Sequence, residues 1–111
     1  MTEDNEISIE EVKKLDLRAV KVTHCEKVEK SRNLLRILVD VDGQEKQIIS
    51  SISEYYDPSE LLGRTIVIVN NLRKAKFMGL ESHGMLLAVE KDDFLSLLTT
   101  DREVPSGIKV S

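Results

Sequence analysis

The stretch Leu35-Arg36-Ile37-Leu38-Val39-Asp40-Val41 runs directly into Asp42-Gly43, and this junction constrains the fold more than any other part of the chain. Side chains two residues apart share one face of a strand, so Leu35, Ile37, Val39 and Val41 form an inward row. Asp-Gly readily takes the positive φ angles of a two-residue hairpin turn. The pattern predicts an antiparallel hairpin whose second arm covers about residues 45–50. The β-branched run Thr65-Ile66-Val67-Ile68-Val69 and the apolar run Leu86-Leu87-Ala88-Val89 predict further strands at 64–70 and 84–90. Connections between successive strands are too short for the crossover helices that a parallel sheet needs.

The flanking segments complete the order. Ser8-Ile9-Glu10-Glu11 is a capping-box pattern, a serine followed three residues later by a glutamate. Ile9, Val12 and Leu15 then lie near one face of a short helix. Between residues 16 and 28, Val20, Val22 and Val28 share one phase, while Lys21, Thr23 and Cys25 share the other. That mixture predicts a long first strand with a bend or bulge. Asp57-Pro58-Ser59-Glu60, ahead of Leu61-Leu62-Gly63, predicts a capped helical turn that stops at Gly63. Residues 94–99 and 108–110 predict two more short strands, joined through a turn at Pro105-Ser106-Gly107. Five principal strands, with a helical element between the third and fourth, match an oligonucleotide-binding Greek-key barrel. The expected architecture is all-β with short helices: a five-stranded barrel over about residues 16–90, an N-terminal helix and extra C-terminal strands over about 94–111.

At 111 residues the chain suits one core, so residues 8–111 are read as one domain behind an acidic extension at 1–7. Two Tyr, two Phe and no Trp leave the core to Val, Ile and Leu and limit base stacking. The lone cysteine, Cys25, excludes an internal disulfide and fits a reducing compartment. No apolar run approaches the roughly 20 residues needed to span a bilayer, and the acidic N-terminus is unlike a targeting peptide. A cytoplasmic location with no membrane partner is expected.

The net charge of −4 conceals a pattern. Residues 1–11 carry −5, 12–50 carry +3, 51–63 carry −3, 64–78 carry +4 and 79–111 carry −3. The block at 64–78 contains no acid, and its Arg73, Lys74 and Lys76 fall where the chain leaves the sheet. Loops on a rigid scaffold are common binding sites, and clustered cations on an acidic protein point to a polyanion. Phosphate contact is the expected use of Arg73, Lys74 and Lys76, with Lys30 and Arg32 adding from the first interstrand loop. Ser82 offers a donor to a phosphate or a ribose hydroxyl. Two readings stand for Met85, a core filler or a thioether against a sugar or base. Asn71 and Asn33 likewise either hold turns or contact the ligand.

No catalytic constellation emerges. His24 and Cys25 are neighbours on a strand and would point to opposite faces, so neither activates the other. Paired metal-ligand spacing and a glycine-rich phosphate loop are both missing from the sequence. A binding protein with no metal and no cofactor is expected, not an enzyme.

Several motifs, in this order and spacing, resemble a known family. They are Asp16-Leu17-Arg18, Leu38-Val39-Asp40-Val41, Gln47-Ile48-Ile49-Ser50, Tyr55-Tyr56-Asp57-Pro58-Ser59-Glu60-Leu61-Leu62-Gly63, Asn71-Leu72-Arg73 and Gly79-Leu80-Glu81-Ser82-His83-Gly84-Met85. The chain resembles the tRNA-binding domain that occurs as a stand-alone dimeric protein and as the C-terminal appendix of many methionyl-tRNA synthetases. It departs from the usual pattern at Ala19-Val20, at Ser31-Arg32-Asn33-Leu34, at Ser51 in place of glycine and at Lys74 in place of proline.

The resemblance implies a barrel that binds tRNA in trans by its shape, at the outer corner of the L. It also implies a homodimer paired through the C-terminal additions, with an aminoacyl-tRNA synthetase as a further candidate partner. The apolar content of residues 94–98 agrees with an isologous pair, against the competing possibility that the tail folds back on its own barrel. A peptide-binding chaperone of the export type, or a protein-docking module, is the alternative on this fold.

Overall fold

The computed structural model describes residues 5–111, so the first four residues of the expected acidic extension lie outside the described residues. Helix α1 (Ile9–Lys13) begins at the predicted capping box. The Glu11 amide donates to Ser8 Oγ at 3.1 Å, and the Ser8 amide donates to Glu11 Oε1 at 2.9 Å. The helix buries none of its residues. Its local capping bonds, rather than packing, define where it starts.

The expected hairpin forms from β2 (Leu35–Val41) and β3 (Gln44–Ser50), joined by Asp42 and Gly43 at φ 53° and 91°. Leu35, Ile37 and Val39 are fully buried, and Val41 packs against the same core. Strand β1 (Leu17–Lys27) pairs antiparallel with β2 along its second half and with β4 (Thr65–Val69) along its first. Its register with β2 shifts between Val22 and His24, which is a bulge at Thr23. One extra residue reverses the alternation, so Cys25 turns inward against the core instead of sharing the outward phase of Lys21 and Thr23. The expected phase of Cys25 is thereby corrected.

Helix α2 (Pro58–Leu61) has Asp57 as its N-cap, Pro58 in its first turn and Leu61 fully buried. Beyond it, Gly63 takes φ 85°. Its amide donates to the Val22 carbonyl at 2.9 Å, and the Val22 amide donates to the Arg64 carbonyl at 2.8 Å. The helix is thus tied to β1 beside the bulge.

Two expected elements take a different form. The strand expected at 84–90 divides into β7 (Met85–Leu86), which pairs with β4, and β8 (Ala88–Lys91), which turns away to pair with β9 (Phe94–Leu97). The basic connection is not an open loop. It folds as a hairpin of β5 (Ala75–Phe77) and β6 (Leu80–Ser82). Met78 and Gly79 close that hairpin at φ 53° and 82°. Methionine in the first central position hides a turn that Asn or Asp would have advertised.

The curled antiparallel sheet runs in the order β3-β2-β1-β4-β7, and its two ends approach each other as in an oligonucleotide-binding barrel. The His83 amide donates to the Gln47 carbonyl at 2.9 Å, and the Ile49 amide donates to Ser82 Oγ at 3.0 Å. Inside lie Val20, Val22, Leu35, Ile37, Val39, Ile48, Ile66, Ile68 and Leu86, the aliphatic core that the composition predicted.

Part of the C-terminal segment does fold back. Leu95 and Leu97 pack against the core, and β10 (Ile108–Lys109) pairs with β1 at Ala19 and Arg18. Ahead of it, Ser106 Oγ accepts from the Lys21 amide at 2.7 Å, and the buried Gly107 donates to the Ala19 carbonyl at 2.8 Å. Gly107 has φ 97°, and an added Cβ would overlap the Asp42 backbone nitrogen and lie 2.8 Å from its Cα. Gly43 shares the positive φ but has open space around it. Gly107→Ala should destabilise the fold by about 1–3 kcal/mol from conformation alone, with the backbone overlap adding to that. Gly43→Ala carries only the conformational part. Denaturant unfolding of both variants checks the ranking, and equal losses would contradict it.

Candidate nucleic-acid interface

A polar clasp fixes the root of the basic hairpin. The Asp16 carboxylate accepts from Arg18 Nε at 2.7 Å and from Asn70 Nδ2 at 2.9 Å. The Asp16 amide donates to Asn71 Oδ1 at 2.9 Å, while Asn71 Nδ2 donates to the Lys14 carbonyl at 2.8 Å. Lys46 Nζ reaches both the carbonyl and Oδ1 of Asn70. Asn71 therefore uses both ends of its amide to join the end of α1, the start of β1 and the exit of β4. Of its two expected roles, this geometry supplies the turn-holding one.

From this root, residues 71–79 are exposed without interruption. Among the described residues, neither Arg73 nor Lys76 has an acid within ion-pair distance, whereas Lys74 Nζ lies 3.6 Å from Glu81 Oε2. An ion pair of that length at an exposed site is weak and easily exchanged. Lys74, which replaces the proline usual in the pattern, therefore keeps most of its value as a cation.

Ser82 is placed differently from what its residue type suggested. It is 3% exposed, and its hydroxyl accepts from the Ile49 amide and donates to the Gly84 carbonyl at 3.0 Å. It closes the barrel and has no free donor to offer a phosphate. Met85 is 48% exposed, so the core-filling reading does not apply.

The first interstrand loop is braced from below. The Ser53 amide and hydroxyl donate to the carbonyls of Asn33 and Arg32. Ser31 Oγ accepts from the amides of Asn33 and Leu34. Lys30 takes φ 69°, and the side chains of Lys30, Arg32 and Asn33 are exposed. Ser51 is also exposed.

These two regions meet at one groove of about 650 Å³. One wall is Lys27, Lys30 and Arg36 with Glu26 and Glu29, and the other is Met78 and Leu80 at the hairpin tip. A chain of polar contacts runs from Glu26 and Arg36 in the groove wall toward the hairpin. His24 Nε2 lies 2.9 Å from Glu26 Oε1, and Arg36 Nη1 lies 3.4 Å from Glu26 Oε2. Arg36 Nε donates to Gln47 Oε1 at 2.7 Å, and Gln47 Nε2 donates to the Glu81 carbonyl at 2.8 Å. Glu81 Oε1 in turn lies 3.3 Å from His83 Nε2. The hydrogen bond from His24, aided by Arg36, holds the Glu26 carboxyl below its ordinary range.

Sequence reasoning missed Lys27, Arg36, Gln47 and Met78. Arg36 carried a usable signal, because it is the cation in the outward phase of a strand whose inward phase was already read. Met78 had none, since its place depends on the unrecognised turn. Among the described residues, no group of three or more His, Cys, Asp or Glu side chains is arranged to hold a metal ion, and no helix is long and apolar enough to cross a membrane.

Comparison with known proteins agrees with this architecture. Residues 17–109 match the family model described as “Putative tRNA binding domain”. The chain is 50% identical over 109 residues to the methionine–tRNA ligase of Thermotoga maritima, covering 98% of this chain and 17% of the ligase. It is 47% identical over 110 residues to that of Archaeoglobus fulgidus, covering 99% of this chain and again 17% of the ligase. The chain thus spans about a sixth of the length of these curated relatives. Among solved structures, a MetRS-related protein from Pyrococcus horikoshii superposes with a TM-score of 0.89 at 32% identity, covering 96% of this chain and 98% of that one. The chaperone CsaA from Bacillus anthracis superposes with a TM-score of 0.87 at 30% identity, covering 96% and 99%.

The clasp generates a pH prediction. Hydrogen bonds from Arg18 and then Asn70 lower the Asp16 pKa from its ordinary 3.8. A carboxyl with a depressed folded pKa adds stability above its ordinary value and loses it as pH falls through the folded value. Asp16→Asn should therefore lower stability at neutral pH and make the loss of stability below about pH 4 shallower. Urea midpoints between pH 2.5 and 7 check this, and an unchanged acid limb would contradict it.

Proposed function

The chain belongs to the tRNA-binding domain family, and we propose on that premise that it is a non-catalytic tRNA-binding protein acting in trans. One observation carries the reading: Lys27, Lys30 and Arg36 line a groove whose other wall is the tip of the hairpin, and that hairpin carries the exposed cations of the 71–79 segment. Arg73, Lys74 and Lys76, with Lys30 and Arg32, are the proposed phosphate contacts. Asn33 and Met85 are proposed as polar and apolar contacts to the ribose or base. Ser82 and Asn71 are proposed to support the site through the barrel seam and the clasp.

Recognition of folded RNA through phosphates and 2′-hydroxyls reads shape more than sequence. This suits a groove in which Glu26 and Arg36 are paired while Lys27 and Lys30 have no ion-pair partner among the described residues. A synthetase for methionine is the proposed partner, in keeping with the ligases that carry the related segment. The cytoplasm is the proposed setting.

We also propose a homodimer. In the β8–β9 ribbon, Ala88, Leu95 and Leu97 face the core. Val89 and Phe94, diagonal neighbours on the other face, are 51% and 61% exposed. Pairing two such faces would remove this apolar surface from water and present two basic hairpins to one ligand.

Binding to folded tRNA should weaken steeply with salt. Release of counterions from about four to eight phosphates gives a log–log slope of roughly −3 to −7. Arg73→Ala with Lys76→Ala should make that slope shallower by about 1–2 and leave the ranking of different tRNAs unchanged. Filter binding at several salt concentrations tests this; a slope near zero in the unmodified protein would discard the tRNA reading. An unfolded polypeptide that bound while tRNA did not would favour a chaperone like its structural neighbour. Light scattering addresses the pairing: a mass near twice 12.6 kDa is expected, and Phe94→Asp should return it to 12.6 kDa.

A further inference from the structure

Beside the groove lies a smaller cavity of about 120 Å³ whose chemistry is unlike that of the groove. Leu72, Phe77 and Met85 form its sides, with Ile49 buried beneath, and Arg73 and Ser50 add the polar groups. Leu72, Phe77 and Met85 are 46%, 42% and 48% exposed. Three large apolar side chains are thus left half in water, two of them, Leu72 and Phe77, on the most cationic segment of an acidic protein. Solubility gives no reason to leave them there, and burial in the barrel is available to their neighbours Ile49 and Leu86.

The geometry points to a seat for one unstacked nucleobase. A protein cavity of about 150 Å³ accepts benzene, so this one has the scale of a single flat ring. Bases that leave the stack in folded RNA are commonly held against aromatic side chains or guanidinium planes, and Phe77 and Arg73 supply one of each. Phe77 and its cross-strand partner Leu80 share a face of the hairpin. Phe77 lines the cavity and Leu80 lines the groove, so a strand whose phosphates follow the groove has its bases beside the cavity. Charge complementarity selects RNA over an apolar peptide segment, because Arg73 lines the cavity within the acid-free block at 64–78 and a phosphodiester neutralises it. This seat rests on the tRNA reading and adds to it a base contact that is independent of phosphate number.

The test separates the two. The intact protein, Phe77→Ala and Phe77→Trp are titrated with folded tRNA, with inorganic polyphosphate and with an unfolded polypeptide. Phe77→Ala should weaken tRNA binding by about 10- to 100-fold, the scale of one lost base stack, with the salt slope and polyphosphate binding unchanged. In Phe77→Trp, the sole tryptophan of a chain that otherwise has none should be quenched by tRNA but not by polyphosphate. Because Phe77 is on an exposed hairpin, circular dichroism should match for all three proteins. Salt-dependent tRNA binding that does not respond to either substitution overturns the seat and leaves the tRNA reading intact. Equal loss of tRNA and polyphosphate binding also overturns it. Loss of polypeptide binding alone assigns the cavity to protein and overturns it, while no tRNA binding by the intact protein removes both readings.

Discussion

The bend in β1 is the constraint on which the rest depends. One strand of eleven residues must pair with β4 at its beginning and with β2 at its end. A straight strand would hold both neighbours in one open sheet with exposed edges. The extra residue at Thr23 kinks the ladder, and right-handed twist then carries β3 round toward β7. What closes the barrel there is modest: one backbone bond from His83 and side-chain bonds through Ser82 and Gln47. A buried hydroxyl at that seam replaces part of a missing ladder.

How much could be read beforehand depends on which signals are local. The inward row of β2, the Asp42-Gly43 turn and both capping boxes are short-range features, and they appear where the residues place them. The phase of Cys25 was not legible, because a bulge is fixed by the partner strand's register and leaves no fixed residue signature. The Met78-Gly79 turn was hidden by an uncommon side chain at a positive φ. Ser82 illustrates a third kind of limit. Its residue type suits a phosphate donor equally well, and only the approach of β3 to residues 82–84 assigns its hydroxyl to the barrel.

The acidic composition and the cationic site coexist because they occupy different parts of the structure. Glu26 in the groove wall and Glu81 on the hairpin each sit within reach of a histidine and a cation. Such pairs orient side chains while leaving Arg73 and Lys76 without an ion-pair partner among the described residues. Residue charge summed along the chain therefore says little about the potential that an approaching polyanion meets.

The same bulge sets the chemistry of Cys25. Turned inward and half-buried, its thiol has a pKa pushed up to about 11, chiefly by burial and also by the charges of Asp57 and Glu26. Only the thiolate is nucleophilic, and a pKa this far above the ordinary value leaves roughly a hundredth of the usual anion at neutral pH. Oxidation and alkylation of Cys25 in the folded protein are therefore expected to be slow. Modification of Cys25 should quicken when β1 parts from its neighbours, which makes this thiol a built-in reporter of barrel breathing.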